Sequence, residues 1–130
     1  MTTVSDIVRD ALTLLGVIAV GETPAAEDME LGSRVLDLML QRWEANGVAL
    51  GWAKPATLFT DVAMPAAALE TVVNNLAARL RPNYGIPVDP DVLRNATDGY
   101  ATLLRDQRRV NPVEHERDGY YYDIRTDSYR

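Results

Sequence analysis

Catalysis needs groups that can give or take protons, attack a carbon or hold a metal, and this 130-residue chain carries few of them in useful patterns. It has no Cys, which removes disulfides, thiol nucleophiles and thiolate metal sites together. Its single His, His115, stands between Glu114 and Glu116 and reads as a surface residue, with no basis for a zinc site or a His-dependent triad. The 19 Asp and Glu residues are spread over polar positions, with no carboxylate pair set into an apolar stretch. There is no phosphate-cradling Gly-rich loop, no G-x-S-x-G and no H-E-x-x-H. The expectation is a protein that is not an enzyme and holds neither metal nor cofactor.

What the chain does offer is contact chemistry. Of 13 basic residues, twelve are Arg and only Lys54 is Lys. Arg suits bidentate pairing to carboxylates on a partner, although a high-GC genome produces the same bias without a functional reason. Arg105, Arg108 and Arg109 form one cluster, which reads either as a site for an acidic partner or a DNA phosphate, or as a solvated helix end placed well against the helix dipole. The net charge of −6 argues against gripping DNA from outside, because such affinity comes from phosphate neutralisation. Excess acid serves solubility, or lines a passage through which DNA slides without sticking. The aromatic candidates for contact with a partner or a second copy are Trp43, Trp52, Phe59, Tyr120, Tyr121, Tyr122 and Tyr129.

These residues must be positioned by helices. The length fits one domain, and an apolar content of 47% supports a folded core. No segment approaches the ~20 apolar residues that span a bilayer, so no membrane partner is expected. The N-terminus has an Asp where a secretory signal would carry Lys or Arg, and no long apolar run, so export by that route is not expected. Thr3 and Asp6 form a short capping box ahead of a first helix whose Val4, Ile7, Val8, Ala11, Leu12 and Leu15 share a face, with Gly16 as its stop. Thr23 as cap and Pro24 at the first helical position open a second helix that runs to about Asn46. Its stripe, from Leu31 through Val35, Leu36, Leu38, Met39 and Leu40 to Trp43, is wider than one partner helix needs and predicts burial on two sides. Trp43 itself reads as core or interface.

The third helix is central. It opens at Pro65 and carries Leu69, Val72, Val73, Leu76, Ala77 and Leu80 at gaps of three and four. Pro82, Gly85, Pro87 and Pro90 then force a turn over Arg81 to Asp89, with Tyr84 tucked against the bundle beside a Gly in a backbone region other residues avoid. A fourth helix restarts at Asp89 or Pro90 and runs to about Arg109, with Gly99 allowing another helix to approach closely. Between helices two and three, Val48 to Asp61 reads as a protruding loop or small hairpin with an exposed Trp52 that meets a neighbour, or else as a cover for the end of the bundle. The fold class is therefore all-α, a small four-helix bundle over 1–110, followed by an extended Tyr-rich C-terminal arm over 111–130. That arm holds four of the six tyrosines, a concentration that predicts ordering on a neighbouring chain, with Tyr120 to Ile124 adding as a strand to a partner's edge.

The third helix ends N-L-A-x-R-L-x-P-x-Y-G, in Asn75, Leu76, Ala77, Arg79, Leu80, Pro82, Tyr84 and Gly85. Upstream lie D-I-V-R-D-A-L-x-L-L-G-V (Asp6 to Val17) and L-x-x-M-L-x-x-W-x-x-x-G (Leu36 to Gly47). Over about residues 5 to 105 the chain resembles the head-to-tail adaptors of tailed bacteriophages, also called head-completion, packaged-DNA-stabilisation or tail accessory proteins. The resemblance implies a structural virion protein, made in the host bacterial cytoplasm and placed at the portal vertex. There about twelve copies would form a ring on the portal protein. That ring would extend the DNA channel, help retain packaged DNA without reading its sequence, and dock the tail or nozzle protein. The alternative is a small helical module that binds a partner or regulates through DNA; the acidic charge and the long Pro-rich loop before the fourth helix weigh against a helix-turn-helix.

Overall fold

The computed structural model describes residues 2–87 and 89–110, together with a short strand pair at 122–123 and 128–129. Four helices carry the fold: α1 (Val4–Leu14), α2 (Ala26–Ala45), α3 (Ala66–Leu80) and α4 (Pro90–Val110). Helix α3 packs against each of the other three, most extensively against α4 and α1. The core is continuous from Ile7, Val8 and Leu12 of α1 through Leu36, Met39 and Leu40 of α2 to Val72, Leu76 and Leu80 of α3. This is an all-α bundle, as the periodicity predicts.

The ends of the helices follow local chemistry. The Thr3 hydroxyl accepts from the Asp6 amide at 3.2 Å while the Thr3 amide donates to Asp6 Oδ2 at 3.1 Å, a complete capping box. α2 starts two residues later than the Thr23–Pro24 expectation. Pro24 is buried in the connector, Ala25 holds the cap position in extended conformation, and no side chain caps the helix. Glu27 and Asp28 in its first turn complement the dipole instead. α3 leads into a 3-10 turn (Arg81–Tyr84) closed by Gly85 at φ 64°, a left-handed conformation that favours Gly. The Asp89 carboxylate then accepts from the Asp91 amide to start α4.

Two close helix contacts depend on glycines. A Cβ at Gly99 would overlap the Thr71 side chain of α3, and one at Gly32 would overlap Val8 of α1. Beside the first contact, Asn75 Nδ2 donates across the interface to the Ala96 carbonyl at 3.0 Å. The approach that Gly99 permits is therefore with α3.

The segment between α2 and α3 forms no hairpin of its own strands and instead pairs with the N-terminal residues. The Ser5 amide donates to the Leu58 carbonyl at 3.0 Å, the Val62 amide donates to the Thr2 carbonyl at 2.9 Å, and Thr3 forms an antiparallel bridge with Asp61. The segment thus lies over the start of α1 and covers that end of the bundle. The strands β1 (Tyr122–Asp123) and β2 (Ser128–Tyr129) pair antiparallel, Tyr122 opposite Tyr129.

Candidate interaction surfaces

The residues that could touch a partner divide into those the fold consumes and those it presents. Trp43 is consumed: it is 3% exposed, and its ring lies against Tyr100 of α4 at 5.1 Å between centroids and 57° between planes. It offers almost no surface to another molecule. Trp52 is half-buried, where the sequence suggested exposure, because its indole Nε1 donates to Asp37 Oδ1 of α2 at 2.9 Å. Asp37 also accepts from Gln41 at 3.0 Å, so one carboxylate ties the loop to its helix.

Phe59 is presented. It is 78% exposed at the tip of a turn held by the Thr57 hydroxyl, which meets the Thr60 hydroxyl at 2.9 Å and accepts from the Phe59 amide at 3.3 Å. Arg105 is exposed near the end of α4, where Gln107 donates to the Ala49 carbonyl at 3.1 Å. Arg108 and Arg109 continue the helical backbone of α4, and nothing further is described of them. Tyr122 and Tyr129 sit opposite each other in the strand pair, while Tyr120, Tyr121 and His115 lie outside the described residues.

Sequence reasoning missed a groove at the other end of α1. It has a volume of about 400 Å³ between the C-terminus of α1 and the α3–α4 corner. Leu14, Leu15, Ala78, Val92 and Leu93 form its wall, and Arg81 and Asp89 stand at its edge. Leu14 and Leu93 are 42% and 48% exposed there. Leu93 lies on the apolar stripe of α4, whereas Leu14 falls outside the α1 stripe of Val4, Ile7, Val8, Ala11, Leu12 and Leu15. Which apolar side chains lack a neighbour depends on the angle at which the helices cross. Leu38 on the outer face of α2 and Val20 in the α1–α2 connector are also exposed, at 61% and 89%. The Tyr84–Asp28 contact was hidden as well. The phenol donates to Asp28 Oδ1 at 2.9 Å between residues 56 apart in sequence. Burial first, then the hydrogen bond to Asp28, pushes the Tyr84 pKa up to about 12.

The chemistry of these surfaces is apolar contact and charge. Among the described residues, buried polar side chains are limited to Ser5, Thr71 and Asn74, no group of three His, Cys, Asp or Glu could hold a metal ion, and no helix is long and apolar enough to cross a membrane. One ion pair is formed there, Arg9 with Asp6 at 3.8 Å, so the described carboxylates of this acidic chain mostly face solvent.

The described body is an all-α bundle with a few apolar side chains and most of its carboxylates on the outside. The profile of the P22 tail accessory factor matches residues 1–122, and the chain belongs to that family, whose role is that of a structural protein of the phage virion. No curated protein matches the chain.

Proposed function

We propose that this protein is a ring-forming head-to-tail adaptor. About twelve copies assemble on the portal protein at the capsid vertex, extend the DNA channel, help retain packaged DNA and present the surface on which the tail or nozzle docks. The observation that carries this reading is the match to the tail accessory factor over residues 1–122, which takes in the whole helical body. Two features of the molecule support it. Leu14 and Leu93 are exposed together at one apolar groove, a surface that a neighbouring subunit would cover. The solvent-facing carboxylates suit a channel wall, because repulsion keeps phosphates from being captured.

In this reading residues 1–110 are the ring-building core and 111–130 are an arm that clasps a neighbour or the portal. Tyr120, Tyr121, Tyr122 and Tyr129 supply its contact area at low entropy cost. Arg105, Arg108 and Arg109 lie where the arm leaves α4 and meet acidic groups on the partner. The reading is tested by mixing the purified protein with the portal of the same phage and separating by size. Co-elution in a complex larger than the portal supports an adaptor; separate elution at every ratio overturns it.

A further inference from the structure

The exposed aromatic and the unfilled groove occupy opposite ends of one helix. The turn that presents Phe59 is fastened to the start of α1 through the Ser5 amide and the Leu58 carbonyl, at 3.0 Å. The groove begins at Leu14, the last residue of α1. Nine residues separate Ser5 from Leu14, about 13 Å along a helix rising ~1.5 Å per residue. The Phe59 ring is therefore held away from the groove of its own chain. A pocket of about 400 Å³ is ample for one aromatic side chain with its flanking residues.

The edges of the two features also match. Lys54 and Asp61 flank a hollow on the Phe59 loop, one cation and one anion. Arg81 and Asp89 stand at the groove, again one of each sign. In one docking sense each cation faces an anion, Lys54 toward Asp89 and Asp61 toward Arg81. Such a pairing orients the contact and adds little affinity of its own.

A projecting side chain and a pocket on different parts of one molecule make a heterologous contact. Repeated, it generates a ring where the rotation closes. We propose that Phe59 of one copy seats in the Leu14–Leu93 groove of the next, a head-to-tail contact between second copies of this chain that builds the ring. The inference rests on the adaptor reading and adds to it which surfaces of neighbouring subunits meet.

The chain has no Cys, so introduced thiols are the only ones present. Ala56→Cys borders the Phe59 turn and Pro87→Cys borders the groove; both positions are exposed and leave Phe59 and the leucines in place. The two single variants are assembled on the portal, separately and as an equal mixture, and treated with a short-armed bis-maleimide. The proposal expects a cross-linked dimer in the mixture alone, and a ladder beyond dimer from a chain carrying both changes. A ring of normal mass whose mixture stays uncross-linked overturns the proposal and leaves the adaptor reading standing. A doubly substituted chain that stops at dimer also overturns it, because the contact would be reciprocal. Failure of the unsubstituted protein to assemble on the portal overturns the adaptor reading, and this contact with it. In parallel, Phe59→Ser is expected to melt as the parent does, since the ring is solvent-exposed, and to need at least tenfold more protein to fill the portal. Assembly at the parent's concentration contradicts the proposal.

Discussion

Gly99 shows how one residue sets an interface. Its missing side chain lets α4 lie directly on Thr71, and Asn75 bridges the same seam to the Ala96 carbonyl. Gly99→Ala should destabilise the fold by about 1–3 kcal/mol through overpacking, outweighing the better helix propensity of Ala of up to ~1 kcal/mol. Thermal unfolding checks this, and an unchanged or raised midpoint would show that Thr71 yields. Tyr84 gives a pH-dependent contribution. Its phenol ionises near 10 when unfolded and at about 12 in the fold, so the fold holds the proton more tightly. The contribution is whole below pH 10 and is lost as pH rises from about 10 to about 12. Tyr84→Phe should flatten that alkaline fall in stability, measured by chemical unfolding across the range; an equal fall in both proteins would contradict the assignment. The Gly99 approach was legible because a Gly inside an amphipathic helix has few other uses. The identity of Thr71 opposite it was not, since nothing local marks a Thr as facing a helix crossing.

At the scale of elements, the caps and stripes decide most of what forms. The Thr3–Asp6 box, the Pro65 start, the Gly85 turn and the Asp89 cap all stand where residue chemistry puts them. The start of α2 does not, because the buried Pro24 serves the connector and the helix begins uncapped at Ala26. The loop from Val48 to Asp61 was the least legible piece. Its backbone pairs with residues 2, 3 and 5, contacts of long sequence separation that no local pattern announces. Asp37 is the residue that holds it on the side of α2. Removing that carboxylate leaves the Trp52 indole without its partner and should cost about 1–3 kcal/mol. Asp37→Ala is accordingly expected to speed proteolytic cleavage within the loop while α-helical circular dichroism stays intact. A cleavage rate equal to the parent's would show that the Trp52 ring is held by packing alone.

On the scale of the whole molecule, the helical body and its surfaces separate. Among the described residues the core is shared by α1, α2 and α3 with Val92 of α4, and in the proposed reading the residues beyond Val110 form an arm outside it. Deleting Val113 to Arg130 should leave helical content and melting nearly unchanged and weaken assembly on the portal; loss of helical circular dichroism would contradict that division. Fold class and family were legible because amphipathic periodicity and the Pro-Gly turn are written locally. The groove and the exposed Phe59 were not, because a docking surface is defined by which apolar residues the tertiary fold leaves uncovered. The central claim, a ring on the portal, is tested most directly by mass photometry of the protein alone and with the portal of the same phage. The account predicts a portal whose mass rises by about twelve copies in one step of assembly. A portal whose mass stays constant beside free monomers or dimers would contradict it.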